Sequence, residues 1–164
     1  MRLELEYDNI RAALGWGLEN NIEAVLRMDK SLIYFWNRRG LEEEGRHLIS
    51  EALARANQLP KLEGEAERQR KSRIGEAWQS MAMLAYSQGD NARAIESSKQ
   101  AITIARQLAD KRLLAVALAF QASGELWSGN NEGVQELLEE GLKALMLPLA
   151  YRQQSVPAPS SPLR

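Results

Sequence analysis

The sequence contains no cysteine and a single histidine. Without thiols the chain can form no disulfide, no thiolate metal site and no cysteine nucleophile. No run approaches the roughly 18 apolar residues of a membrane-spanning helix, and the opening stretch MRLELEYDNI lacks the apolar core of a secretory signal. The formal net charge is only -1, so no overall field attracts nucleic acid or an anionic membrane. We therefore expect a cytoplasmic protein with neither of these as a partner.

Strand patterns are also absent, and helical periodicity runs through almost the whole chain. Between residues 22 and 38, for example, apolar side chains recur on one side of a 3.6-residue helix while charged side chains take the other sides. Glycine, asparagine and aspartate interrupt the pattern where helices end and begin. The breaks predict seven helices, at 3–19, 22–38, 41–57, 65–88, 91–108, 112–128 and 131–146. Their short connections make neighbouring helices antiparallel.

The helical hairpins recur along the chain. Counting twelve residues on from the turn glycines Gly40, Gly89 and Gly129 reaches a small residue each time: Ala52, Ala101 and Gly141. A small side chain at this position lets the second helix of a hairpin approach its partner closely. The turn glycines are 49 and 40 residues apart, and the insert LPKLEGEA lengthens the first interval. This period is typical of an array of helical pairs.

These features resemble the tetratricopeptide repeat. The residues that carry the resemblance are the turn GDNARA, the small residues after it, and Trp78 and Ala82 before Gly89. More narrowly, LELEYDNIRAALGWGLENN and FWNRRGLEEEGRHLISEAL resemble the helical-repeat region of bacterial signal-transduction ATPases and related large transcriptional activators. The resemblance implies an all-α, right-handed solenoid of about seven antiparallel helices, made of three pairs and an N-terminal helix. It covers residues 3 to 146.

Other parts of such regulators are not recognisable in this chain. No GxxxxGK[ST] phosphate loop occurs, and no DNA-reading helix-turn-helix follows the repeats. We divide the chain into a repeat domain, residues 1–146, and a Pro/Ser-rich tail, residues 147–164. We expect a sensor or adaptor part that is not an enzyme and holds no cofactor.

Three groups of side chains could carry chemistry, and each has a plainer interpretation. His47 and Glu51 lie four apart on a helix and could bind a metal, but a third ligand is missing, so we predict no metal site. The carboxylates of LEEEG and LLEEG could act as acid and base, but they also suit solvated helix faces and first turns. The run RQRKSR could contact nucleic acid, yet it lacks aromatic residues and follows EGEAE, which favours a salt-bridged helix.

The resemblance implies that the first helix of each pair lines a concave groove. Positions at fixed distances before Gly40 and Gly89 therefore become candidates for partner binding: Arg27, Lys30, Tyr34, Asn37, Arg38, Gln79, Met83 and Tyr86. The set before Gly40 is long, polar and mainly cationic, which suits a peptide carboxylate or an acidic side chain. The alternative is that Tyr34 belongs to the core and the cations merely face solvent. The equivalent third set, Val116, Ala119, Ser123, Leu126 and Trp127, is apolar, so we expect it to be covered.

The last predicted helix continues into apolar residues beyond its own packing stripe. They are Leu145, Met146, Leu147, Leu149 and Tyr151. A solenoid needs a polar terminal cap, so we expect either that the tail folds back over them or that two chains form a homodimer there.

We therefore predict a non-enzymatic protein-protein interaction module of a bacterial signalling or transcriptional regulatory system. Its groove would bind a segment of a partner protein whose identity the sequence does not give. The alternative is a sensor domain whose superhelix encloses a small ligand or signalling peptide. An open groove lined by Arg27, Lys30 and Arg38 would favour the partner protein, and an enclosed apolar pocket near Tyr34, Trp36 and Trp78 would favour the sensor.

Overall fold

The computed structural model describes residues 6–146, and within that range it is all-helical. The seven described helices are α1 (Tyr7–Asn20), α2 (Ile22–Arg39), α3 (Glu42–Ala56), α4 (Gly64–Ser87), α5 (Asn91–Leu108), α6 (Lys111–Trp127) and α7 (Val134–Leu145). The prediction of an all-α chain is confirmed. None of these helices is both long enough and apolar enough to cross a membrane.

Most helices begin and end within one residue of the predicted positions, but α7 begins at Val134, three residues later than predicted, and the predicted start of α1 at residue 3 lies outside the described residues. Gly40, Gly89 and Gly129 all adopt positive φ, of 68°, 74° and 78°, a conformation that side-chain-bearing residues rarely take. Asp90 caps α5 by accepting a hydrogen bond from the amide of Arg93, and Asp110 caps α6 by accepting one from the amide of Leu113. These contacts span three residues, so they are encoded locally.

Each helix packs against the next one along the chain, and alternate helices also meet. The alternate pairs are α1 with α3, α2 with α4, and α4 with α6. Thus α2, α4 and α6, the first helices of the three predicted hairpins, follow one another side by side.

The small residues of the repeat occupy the close approaches between helices. Ala52 and Ala101 are about 1% exposed or less, and Gly141 is buried against α6, where a Cβ atom would lie 3.5 Å from the carbonyl oxygen of Ala115. The third hairpin is less well covered than the others. Leu138 is 46% exposed, whereas the residues at its position in the first two hairpins, Ile49 and Ser98, are completely buried.

Candidate functional site

The predicted groove residues of α2 lie on its solvent face. Arg27, Lys30, Tyr34 and Arg38 are exposed and Asn37 is partly exposed. Tyr34 is 68% exposed, so the alternative that it belongs to the core is wrong. The core positions are instead its neighbours Ile33 and Phe35, which are less than a tenth exposed.

Four of the eight predicted groove residues line one cavity of about 240 Å³. The cavity lies where α2, α4 and the start of α6 meet, and we call it the α2–α4–α6 cleft. Its lining residues are Lys30, Ile33, Tyr34, Glu76, Gln79, Ser80, Met83, Asp110, Arg112 and Leu113. Arg27, Asn37 and Arg38 do not line it, and Tyr86 lies elsewhere on α4.

The cleft is less cationic than the sequence suggests. The ammonium group of Lys30 forms an ion pair with the carboxylate of Glu76 from the neighbouring helix. On the side formed by α6, Arg112 is accompanied by Asp110. Charges of both signs are therefore balanced around the cavity. The exposed cations Arg27 and Arg38 have no ion-pair partner among residues 6–146 and stand on the same helix outside the cavity.

The carboxyl group of Asp29 is buried beside the α2–α4–α6 cleft. Asp29 is 1% exposed, and its Oδ1 accepts a hydrogen bond from the amide of Lys30, whereas Oδ2 has no hydrogen-bond partner within the described chain. Burial raises the pKa of Asp29 to about 7, although the nearby Lys30 amide and Ser80 hydroxyl oppose the shift. The negative charge of Glu76 adds to the increase. Asp29 of α2 is therefore buried close to Ser80 and Glu76 of α4, two of the residues that line the cleft.

Tyr86 belongs to a separate aromatic group at the far end of α4. The indole Nε1 of Trp127 donates a hydrogen bond to the Tyr86 hydroxyl across 3.0 Å, and the rings of Tyr86 and Phe120 meet with their centroids 6.2 Å apart. Trp127 remains 70% exposed. Tyr86 is partly exposed and lines another depression together with Trp127, so it does not share a cavity with Tyr34.

The apolar third set was expected to be covered, and within the described residues it is open. Leu126 of this set is 55% exposed. Leu145 and Met146, which were predicted as self-association residues, lie at the end of α7 and are 57% and 71% exposed. An apolar depression of about 350 Å³ lies between the two last helices. It is lined by Ala115, Val116, Ala119, Phe120, Ser123 and Leu145. Leu147, Leu149 and Tyr151, also predicted for this face, lie outside the described residues.

Intramolecular contacts account for the other charged candidates. Glu51 pairs with Arg55 while His47 is exposed, which favours the interpretation of a surface pair. In the basic run, Arg70 and Arg73 both pair with Glu23; Lys71 pairs with Glu67, and Arg68 donates to the carbonyl of Leu108. Within residues 6–146, no three His, Cys, Asp or Glu side chains form a group that could hold a metal ion.

Counting from the turn glycines misses the third side of the cleft. Asp110, Arg112 and Leu113 come from the start of α6, which packs against α4. The only local signal here is the N-cap aspartate, which predicts where α6 begins but not what lies opposite. Ser80 is missed as well, because it lies one residue beyond the counted position Gln79.

No protein-family model, curated protein or solved structure matches the chain. The resemblance to tetratricopeptide repeats therefore depends on the residues of this sequence.

Proposed function

We propose that the protein is a non-enzymatic interaction module that binds a segment of a partner protein in the α2–α4–α6 cleft. The observation that carries the proposal is the exposure of Tyr34 at the edge of a cavity whose walls are helices. An exposed aromatic residue on a rigid element offers a large contact area with little loss of side-chain entropy on binding. Gln79 and Met83 on the opposite wall add a hydrogen-bonding amide and an adaptable apolar surface.

The proposed architecture is a tetratricopeptide-like, right-handed solenoid. The side-by-side order of α2, α4 and α6 supports it, because such arrays stack the first helices of successive pairs along their concave wall. The biological setting, bacterial signalling or transcriptional regulation, is proposed from the sequence resemblance alone.

The cleft also indicates what kind of segment would bind. A cavity of about 240 Å³ is smaller than the roughly 300–1,000 Å³ of typical small-molecule sites, so it suits one anchoring side chain of a peptide. Ile33, Met83 and Leu113 favour an apolar anchor. Arg27 and Arg38, which have no ion-pair partner in residues 6–146, favour acidic residues flanking that anchor.

The small-ligand sensor remains the alternative function, and one observation weighs against its expected location. Trp36 is completely buried, and its indole nitrogen donates to the Tyr7 hydroxyl across 2.8 Å. Its ring fills the core instead of lining a pocket beside Tyr34.

The test is selection of short peptides from a random displayed library on the folded protein, followed by affinity measurement with fluorescently labelled peptides. We expect selected peptides to carry an apolar residue flanked by acids, and to lose at least about tenfold in affinity on Y34A or M83A, as loss of a central contact predicts. The matched control is W16A, which removes another exposed aromatic residue, 63% exposed on α1. W16A should bind normally.

Peptides that bind Y34A, M83A and W16A equally well would contradict a binding role for the cleft. If no peptide is selected, while a small-metabolite library raises the melting temperature of the wild type and not of Y34A, the sensor function replaces the proposal.

A further inference from the structure

The apolar face of α6 and α7 occupies the same repeat position as a wall of the cleft. Helix α4 contributes Glu76, Gln79, Ser80 and Met83 to the cleft, and the start of α6 covers them. The residues at the same distances before Gly129 are Val116, Ala119, Phe120 and Ser123, which all line the apolar depression. Leu145 of α7 borders this second wall, and no other helix of residues 6–146 packs over it. The residues of α4 are thus covered by a further helix, α6, whereas the equivalent residues of α6 have no such helix over them among the described residues.

Two parallel stripes make up this face. On α6, Val116, Ala119 and Ser123 recur at helical spacing, and on α7 the leucines Leu138, Leu142 and Leu145 do so. Leu145 lines the depression together with the α6 residues, so the leucine stripe borders it. We call the two stripes together the α6–α7 face.

The α6–α7 face has the shape of a ridge beside a groove. Its leucines are 46%, 63% and 57% exposed and project from α7, while the α6 side of the adjoining groove is lined by the small residues Ala115, Ala119 and Ser123 and by Val116 and Phe120. No charged side chain lines the groove. A matching surface must therefore be an apolar ridge of similar spacing, and it needs no complementary charge.

We propose that a second copy of this chain covers the α6–α7 face, forming a homodimer with twofold symmetry. In such a dimer the leucine ridge of each copy lies in the apolar groove of the other, so the same contact forms twice. Four helices, two from each copy, then make an apolar layer of the kind found in helix bundles. Leu138, Leu142, Leu145 and Met146 are 46% to 71% exposed in the single chain and together supply on the order of 400 Å² of each partner's surface, about half of the roughly 800 Å² that stable interfaces need.

The α6–α7 face and the α2–α4–α6 cleft share no lining residue, so a substitution can alter one without replacing a residue of the other. The dimer and the peptide-binding function can therefore be tested separately.

The test is sedimentation velocity or light scattering on the full chain over a wide concentration range. We expect the wild type to reach twice the monomer mass of 18.4 kDa, and L142E to raise the dimer dissociation constant at least about tenfold by placing an unpaired charge in the interface. L145E should act in the same way. W16E, which adds the same charge at an exposed apolar position outside the face, should dimerise as the wild type does. Circular dichroism checks that all variants keep equal helicity.

A wild type that stays monomeric at the highest concentration would overturn the proposal. Dimers that persist in both L142E and L145E, or that W16E disrupts equally, would overturn it too, since the contact would then lie elsewhere.

Discussion

Gly45 on α3 lies directly against the indole ring of Trp36 on α2. A Cβ atom on Gly45 would stand 2.7 Å from Cε3 of Trp36 and 3.0 Å from a methyl carbon of Leu84 on α4. Real Cβ contacts are essentially never as short as the first of these, and Trp36 is completely buried, so the ring cannot move aside into solvent. The absence of one side chain thus allows three helices to meet.

We expect G45A to lower the free energy of unfolding by about 1–3 kcal/mol, because the added methyl group overpacks the core. Gly15 provides the matched control, since no atom lies within 4 Å of the place that a Cβ would take there. G15A should be neutral or raise stability by up to about 1 kcal/mol, through the better helix propensity of alanine. Urea unfolding of both variants measures the difference. Equal effects at the two sites would contradict the packing argument.

The buried carboxyl of Asp29 should make stability depend on pH. Its pKa is about 7 in the folded protein and about 4 in an unfolded chain, so the folded state binds more protons between these values. The contribution of Asp29 to stability is therefore greatest below about pH 4, falls as the pH rises through this window, and is constant above about pH 7.

D29N removes this titration while keeping the side-chain shape. We expect the stability of D29N relative to the wild type to increase from about pH 4 to about pH 7 and then level off. Guanidinium unfolding at a series of pH values measures it, with D8N, at an exposed aspartate of α1, as the control. A difference between D29N and the wild type that does not change with pH would count against the buried-carboxyl interpretation.

Arg46 ties α3 to the turn between α4 and α5. It is 6% exposed, and its guanidinium donates to the side chain of Gln88 at 2.6 Å and also pairs with Asp90 and Glu43. The ammonium of a lysine cannot reach these acceptors with the same planar geometry. We expect R46K to cost about 1–3 kcal/mol of stability. Thermal unfolding measures this loss. R27K, at an exposed arginine, should cause no measurable loss of stability. A loss in R27K comparable to that in R46K would show that the geometry of Arg46 is not the cause.

Glu23 holds two arginines of α4 against α2. Arg73 pairs with it at 2.6 Å and Arg70 at 3.1 Å, and Arg70 is largely buried. E23Q should lower stability by about 1–2 kcal/mol because it leaves partly buried charge less well compensated. In a double-mutant cycle, E23Q should lower the free energy of unfolding less in the R70M variant than in the wild type. Additive effects of the two substitutions would contradict the coupling. E139Q on the exposed face of α7 is the control.

The cleft was predictable in part. Counting from Gly40 and Gly89 selects Lys30, Tyr34, Gln79 and Met83, which line the cavity because they lie ten and six residues before the turn glycine in each hairpin. It also selects Arg27, Asn37 and Arg38, which do not line it. The same count includes Tyr86, which belongs to the aromatic group with Trp127 instead. Whether a position on a helix face borders a cavity depends on where the next helix crosses, and spacing along the chain does not encode this.

Electrostatics could be predicted least. The Lys30–Glu76 pair joins residues 46 positions apart, and it converts an expected cationic wall into a balanced one. The burial of Asp29 likewise depends on the helices packed around it. A sequence shows that a residue carries charge, but its partner and its exposure to water follow from packing.

The sequence by itself determined the number of helices and most of their ends, although it placed the start of α7 three residues too early. Capping hydrogen bonds, left-handed glycines and apolar periodicity act over a few residues, so each can be read locally. Only the tertiary structure decided which side chains share the α2–α4–α6 cleft, why Asp29 holds its proton near neutral pH, and which face the described helices leave open. These properties arise where helices far apart in the chain meet, and contacts over such distances depend on the packing of the whole array.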